Sequence, residues 1–526
     1  MTAHRVISIF NHVLGPVMRG PSSSHTAGAY HIASMARSLL GDRPRRAVFA
    51  FDPGGSYAAT YAAQGADRGF AMGLLGRALT DETFFTVLTE APGSGLEIRF
   101  DVRPLENADH PNTVDVELLA EDNSVLRLAA RSIGGGEVEI TRVNGWPVVF
   151  NGSAYEALVE TTQAPLPAVT ELLCSDGAVL GEAETLVHGN VAAVTVRRGT
   201  GLKPETRQAL ASLPGGVRVW ESVPVYFVAT GQPLFASAAE MVKLAEERRL
   251  SLGQLALEYE ASLLGLSHAE VLQEVSRRYE IMERSVERGL ALDFTGMQLL
   301  PACAGAIFQA EAAGRLSARS LHTRAAARAI AVMHVDGAMG VVCAAPTGGS
   351  AGALPGTLVT LVEERRLSRD RIAIAMLAAG AIGLIVAERA TFAAEVAGCQ
   401  VEIGAAGAMA AAAVVDAVGG TAQQSCDAAA VAFQNTMGSV CDLLHGTVEI
   451  PCHTRNAVAA ANAFVCADLI LGGYPNLIPL DETIDAVYAV GRMMPRELLC
   501  TSRGGLAVTP SALRLVQIRK RDEKHP

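Results

Sequence analysis

Three cysteines lie in segments rich in small and turn-forming residues: Cys399 in AGCQVEIG, Cys441 in GSVCDLLHG and Cys452 in EIPCHTRN. Each stands beside a Gly, a Pro or an expected helix end. Thiolates in such turns can point inward at a metal while neighbouring backbone amides hydrogen-bond the sulfur. Their spacing, 42 residues and then 11, fits no short zinc motif of the Cys-x-x-Cys kind. Spacing alone therefore favours buried thiols that pack as small hydrophobes, a reading that also covers Cys174, Cys303, Cys343, Cys426, Cys466 and Cys500.

A second candidate is the run Arg19-Gly-Pro-Ser-Ser-Ser-His-Thr26. Its Gly-Pro turn presents Ser22, Ser23, Ser24, His25 and Thr26, which together offer hydroxyls, free amides and one titratable imidazole, a set suited to holding a carboxylate. An ordinary Ser-rich turn capping the next helix fits equally well. A third run, Ala345-Pro-Thr-Gly-Gly-Ser-Ala-Gly352, has the glycines of a phosphate loop, but no Lys follows them, so a Walker-type nucleotide site is not expected.

Elements must position these loops. Residues 1 to about 147 mix Gly/Pro turns with short β-branched runs, Ala47 to Phe51, Leu96 to Val102 and Thr113 to Leu119, which is α+β texture. From about 148 to 230 the pattern reads βαββαβ, a ferredoxin-like order. Its parts are a strand at Ala157 to Thr161, a helix after Pro165, alternating apolar Val194 and Val196, a helix from Pro204 that stops at Pro214-Gly215-Gly216, and a last strand over Val217 to Phe227. From about 235 the texture is helical. Ser237 with Glu240, Ser251 with Gln254, and Ser267 with Glu270 have the offset of a capping box. Val271, Val275, Tyr279, Met282 and Val286 recur at helical spacing, and Gly404 to Val418 has too few polar residues for a surface helix. The expected fold is multidomain α+β: an N-terminal α/β domain over 1–147, a small βαββαβ domain over 148–230 and a large all-α domain over 235–526. The charged end Arg519 to Lys524 is expected to fray.

A chain of 526 residues is too long for one hydrophobic core. Half its residues are hydrophobic, 18% are charged and 5% are aromatic, the composition of a globular body of small-residue helices. A net charge of -11 without a basic tract argues against a nucleic-acid partner. Nine cysteines in so long a chain are not the paired framework of a small secreted domain, so a reducing, cytoplasmic setting is expected. The start MTAHRVISIFNHV meets Arg19 and the serines before it builds a signal-peptide core. Ile372 to Ala387 falls short of the roughly 20 apolar residues that span a bilayer; it reads as a helix buried in protein, and no membrane partner is expected.

The segments GPSSSHTAG, DHPNTV, SIGGGEVEI, AAPTGGSAGALPGTL, AGCQVEIG, VCDLLHGTVEIPCHTRNA and GGLAVTP occur in the order seen in bacterial iron-sulfur L-serine dehydratases, and nearly the whole chain resembles that family. The resemblance implies the family's β part over 1–147, a unit similar to the ACT-like regulatory domain over 148–230, and the helical α part that carries the cluster. It implies that Cys399, Cys441 and Cys452 ligate a four-iron four-sulfur (4Fe-4S) cluster, leaving one iron open, as catalytic zinc keeps an open position. That iron would hold the substrate carboxylate and β-hydroxyl while a base removes the α-proton, and the enamine product would hydrolyse to pyruvate and ammonia. No pyridoxal phosphate is expected, and the quoted segments of the helical part contain no lysine. His25 is the expected proton-transfer group and His110 the second choice. Ser22, Ser23, Ser24, Thr26, Asn112, Ser132, Gly134, Gly135, Gly136, Thr347, Gly348, Gly349 and Ser350 are expected to bind the carboxylate or orient the substrate. The implied partners are a small hydroxy amino acid, an amino-acid effector at the ACT-like unit, and further copies of the chain in a homodimer or homotetramer.

The chain departs from the family in three places. The family's Gly-His-Gly-Thr-Asp is Ala63-Gln-Gly-Ala-Asp67 here, so Gln64 replaces a histidine. The family's Asn-Asn-Ala-Ser-Ile-Ser-Gly-Ala-Ala-Gly-Gly is Glu388-Arg-Ala-Thr-Phe-Ala-Ala-Glu-Val-Ala-Gly398. Arg389 or Glu395, facing the cluster, would suit a substrate with a further polar group; otherwise each is a solvated helix residue. Some single-chain members end in a cysteine that can cap the open iron, whereas this chain ends Lys524-His525-Pro526, so water or a carboxylate is expected there. The competing readings are the same chemistry on threonine, a sugar acid or a β-thiol amino acid, and a non-catalytic small-ligand sensor.

Overall fold

The computed structural model describes residues 6–175 and 177–515, so the Arg519 to Lys524 segment and the Lys524-His525-Pro526 end lie outside the described residues. The chain packs as two units, one made of the chain through Ser23 together with Gln232 onward, the other of Ser24–Gly231. Multiple sheets and a helical C-terminal region make it a multidomain protein of mixed helix and sheet.

In the helical unit the short helix Ile9–Val13 is followed by strand β1 (Val17–Arg19), which pairs antiparallel with a strand at Val341–Cys343. Its helices start where the sequence signals them. Ser251 and Ser267 close full capping boxes with Gln254 and Glu270. Ser237 caps through the Glu240 amide, but the Glu240 carboxylate accepts from the Ala236 amide, one residue earlier than a capping box requires. At the centre, every residue of the helix Ile403–Ala417 is buried. Small residues let neighbouring helices close in: a methyl on Gly289 would lie 1.9 Å from the Ala331 carbonyl oxygen, and one on Gly253 2.0 Å from that of Ile374. The helix Arg369–Arg389 is long and apolar enough to cross a membrane, yet 83% of its apolar window is buried in protein.

The second unit holds two sheets. β2 (Pro44–Phe51), β3 (Glu97–Val102), β4 (Thr113–Ala120), β5 (Val125–Gly134), β6 (Glu137–Val143) and β7 (Trp146–Phe150) form the larger, in the order β3-β2-β4-β5-β6-β7. Only β2 and β3 run parallel, and the connection between them contains the helix Ala66–Leu75, as a parallel crossover demands. Phe49 and Phe70 stack at 4.1 Å in this core. β8 (Tyr155–Thr162), β9 (Glu184–His188), β10 (Val191–Arg198) and β11 (Arg218–Ser222) form the smaller sheet in the order β11-β8-β10-β9, all antiparallel. With the helices Leu166–Ser175 and Pro204–Ala211 this realises the βαββαβ order. Val194 and Val196 join Val169, Leu173 and Leu210 in its core. The last strand stops at Ser222 instead of reaching Phe227, since Pro224 has no N–H for the ladder.

On β8, Glu156 is wholly buried and accepts from the Asn151 and Gly152 amides at 3.1 and 3.2 Å. Burial pushes its carboxyl up to about 7 from an ordinary 4.5. A raised carboxyl favours the fold while protonated, so its contribution is complete below the unfolded value and is lost as pH rises towards 7. Glu156→Gln is expected to remove this slope, worth on the order of 3 kcal/mol. Urea melts of both proteins at pH 4.5 and 7.5 check it; parallel pH dependences would refute it.

Candidate functional site

The three cysteines come from separate turns. Cys399 lies one turn before the helix Ile403–Ala417, Cys441 follows the helix Ala422–Thr436, and Cys452 opens the helix Cys452–Leu471 after Pro451. All are buried, within one cluster that includes Met333, Ala353, Ala394, Ile403 and Leu443. Polar side chains stitch the turns together. Gln400 accepts from the Gly438 amide at 2.9 Å and donates to the Ala397 carbonyl at 2.9 Å, joining the first turn to the second. Arg455 donates to Cys399 Sγ at 3.5 Å, to the Val440 carbonyl at 2.7 Å and to Asp442 Oδ1 at 2.8 Å. Asp442 Oδ2 accepts from the Leu506 amide at 2.8 Å, and any side chain on Gly505 would strike it, with Cβ only 2.4 Å away, which is why the GGLAVTP segment needs glycine there.

Four residues before that segment stands a fourth cysteine, Cys500. The Cys500 amide donates to the Cys441 carbonyl at 2.9 Å, and the Cys500 thiol hydrogen-bonds the Cys441 thiol. Cys500, read from sequence among the packing thiols, therefore belongs beside the other three. Its φ of 62° is unusual for a residue with a side chain.

Burial and mutual contact raise the thiols, against the opposing pull of Arg455. Contact with the Cys441 thiol, then burial, holds Cys399 well above the usual thiol range. Burial and the neighbouring Cys399 do the same to Cys452. Contact with Cys399 lowers Cys441, but contact with Cys500 and burial outweigh it, and the net shift is upward. Among the described residues, no group of three or more His, Cys, Asp or Glu is disposed to hold a single metal ion. A cubane asks for something else: each thiolate binds its own iron, so the sulfurs must share a face and not a point. Three soft donors in one buried cluster, with Arg455 to balance negative sulfur at Cys399, have the chemistry such a group needs.

The Thr347–Ser350 turn is fixed to the same helix. Asn456 donates to the Gly349 and Cys452 carbonyls at 2.9 and 3.0 Å and accepts from the Gly352 and Ala353 amides at 3.2 and 3.1 Å. Thr347 Oγ1 donates to Glu402 Oε1 at 2.6 Å. Although Glu402 keeps some exposure, burial of its carboxyl pushes it up to about 7. The Gly348 amide reaches Ser23 Oγ at 3.5 Å, so part of the serine loop meets this turn.

The remaining predicted residues belong to the unit Ser24–Gly231. His25 Nδ1 pairs with Ser24 Oγ at 3.0 Å and Nε2 with Ser56 Oγ at 3.1 Å, and its ring packs edge-on to Tyr57 at 5.0 Å. Burial lowers it from 6.5 to about 3, which favours the neutral ring near neutrality. Ser56 also donates its amide to the Pro111 carbonyl at 2.7 Å, joining the histidine loop to DHPNTV. There the Asn112 amide donates to His110 Nδ1 at 3.1 Å, and Asn112 Nδ2 reaches the Ser132 carbonyl at 3.5 Å. Gly134, Gly135 and Gly136 all have positive φ in the β5–β6 turn. Gln64, in place of the family histidine, accepts the Thr26 hydroxyl on its carbonyl at 2.7 Å. Arg389 pairs with Asp485 and Asp481 on the helix Leu480–Arg492, which accounts for it as an inter-helix tie. Glu395 acts through space, opposing negative charge on Glu402 and Cys500.

A family model described as "Serine dehydratase alpha chain" matches residues 247–507. The chain is 36% identical over 282 residues to "Probable L-serine dehydratase, alpha chain" of Bacillus subtilis (strain 168), covering 54% of this chain and 94% of that protein. It is 35% identical over 272 residues to "L-serine dehydratase, alpha chain" of Peptoniphilus asaccharolyticus, covering 52% and 93%. It is also 34% identical over 216 residues to "Probable L-serine dehydratase, beta chain" of Bacillus subtilis (strain 168), covering 40% and 96%. Counterparts of an alpha and a beta chain are thus fused in one polypeptide.

Proposed function

This chain belongs to the L-serine dehydratase family, and from that premise we propose that it is a lyase converting L-serine to pyruvate and ammonia. The observation that carries the reading is that the thiols Cys399, Cys441 and Cys452 lie in one buried cluster. They would hold a 4Fe-4S cluster, which when bound supplies a Lewis-acidic iron to the departing hydroxyl.

The protein's own groups do the rest. Arg455 offsets sulfur charge at Cys399 and ties the Cys399 and Cys441 turns to the helix that Cys452 opens. Ser22, Ser23 and the Thr347–Ser350 turn receive the substrate carboxylate on hydroxyls and amides. His25 is proposed to move the α-proton, oriented by Ser24 and Ser56, with His110 as second choice. Ser24, Thr26, Asn112, Ser132 and Gly134 to Gly136 orient the substrate, and pyridoxal phosphate has no part. The βαββαβ sheet is proposed as an ACT-like regulatory unit for an amino-acid effector. In support, a cavity of about 980 Å³ lies in its unit, lined by Arg37, Arg207, Trp220 and Glu221 among others. The chain is proposed to act as a homodimer or homotetramer.

Anaerobic purification followed by iron, sulfide and pyruvate assays tests this reading. The expected result is brown protein with about four irons and four sulfides per chain and pyruvate from L-serine. A colourless, iron-free protein with full activity would overturn the cluster. Turnover of threonine, a sugar acid or a β-thiol amino acid but not serine would replace the substrate.

A further inference from the structure

The helix Leu321–Gly337 ends beneath two of the loops just described. Asp336, its penultimate residue, has no exposed surface, and neither carboxylate oxygen makes a hydrogen bond. The group is closely surrounded all the same. A methyl on Gly20 would lie 2.4 Å from Asp336 Oδ1, and one on Gly348 would lie 3.4 Å from that oxygen and 3.2 Å from the Ser23 amide nitrogen. The carboxylate therefore stands between the Gly20–Ser23 backbone and the Thr347–Ser350 turn, and Gly20 is the place where a side chain would strike it.

Its electrostatic neighbours are negative. Glu402 opposes charge on Asp336, and Asp336 in turn opposes charge on Cys452. A buried carboxylate with neither a hydrogen bond nor a cation is costly to a fold. Glu402 already accepts the Thr347 hydroxyl, whereas both oxygens of Asp336 are uncommitted. The two flanking loops offer hydroxyls and amides, which suit the carboxylate of an amino acid but bring no negative charge to its ammonium group.

We propose that Asp336 is the receptor for the α-ammonium group of the substrate, so that the site selects amino acids over hydroxy acids of the same shape. This rests on the reading that the site takes L-serine. A charge-assisted hydrogen bond at a buried carboxylate accounts for about 10- to 100-fold in affinity.

The test uses anaerobically purified, cluster-loaded protein, with L-serine and with glycerate, which carries a hydroxyl in place of the ammonium. Asp336→Asn is expected to raise the KM for L-serine about 10- to 100-fold while iron and sulfide content stay as in the wild type. The inhibition constant for glycerate is expected to stay the same or fall. Equal weakening of both ligands would assign Asp336 a structural role and overturn the proposal, as would an unchanged KM. Should the variant not fold, the wild type decides: glycerate bound as tightly as L-serine, measured by calorimetry, leaves no room for an ammonium receptor. Failure of the wild type to make pyruvate from L-serine would instead count against the substrate reading, and calorimetry with the preferred amino acid and its hydroxy analogue would still judge Asp336.

Discussion

Cys441→Ser is expected to leave anaerobic purification colourless and to form pyruvate at least about a thousandfold more slowly than the wild type. Among the four thiols, Cys441 alone touches two others, Cys399 and Cys500, and a serine hydroxyl is a hard oxygen donor in place of a soft thiolate. The fold should survive, because the Cys441 contacts to Leu498 and to the Cys500 amide are made by backbone atoms at 2.8 and 2.9 Å. Circular dichroism, iron content and a pyruvate assay separate the outcomes. Cys466→Ser is the control: that thiol is buried elsewhere, against Asn435, and its loss should leave the iron in place. A Cys441→Ser protein that stays brown and active would remove Cys441 from the site.

His25→Asn is expected to lower kcat by about 10²- to 10⁴-fold, the usual range for a lost proton-transfer group, without loss of iron. The amide keeps one hydrogen-bonding arm towards Ser24 but cannot exchange a proton. Because burial lowers His25 to about 3 from 6.5, the folded state favours the neutral ring. Its contribution to stability is complete above pH 6.5 and is lost as pH falls towards 3. The wild-type kcat/KM profile should accordingly show no inflection from His25 near 6.5. Unchanged turnover in His25→Asn would pass the role to His110, whose half-buried ring is also lowered, first by burial and then by Arg131.

Local signals were the legible ones. Ser251 and Ser267 announced their helices because a capping box is complete within four residues. The run Gly404 to Val418 announced a buried helix because nothing in it could face water. Spacing also carried the βαββαβ unit, apart from its last strand, which a single Pro224 cut short. The cysteines were different. Their separations say nothing about geometry, and only the resemblance singled out three of nine. The supporting residues were missed because their meaning is long-range: Asn456 matters for carbonyls at Gly349 and amides at Gly352 and Ala353, more than 100 positions away. Arg455 and Asp442 stood inside the quoted motif but gave no sign of which partner they would reach. Cys500 and Asp336 had no sequence signal, since contact in one case and the lack of a partner in the other appear only in the fold.

The pairing of Val17–Arg19 with Val341–Cys343 bears on how the chain is made. Roughly 320 residues separate the two strands, so at ribosomal rates of about 5–20 residues per second the first is synthesised some 16 to 65 s before its partner. Until then the Gly20–Ser23 segment lacks the turn it is to meet, and the unit Ser24–Gly231 is translated in between. The two loops proposed to hold the substrate are thus made far apart in time, and a nascent chain that stops short of Val341 lacks one of them.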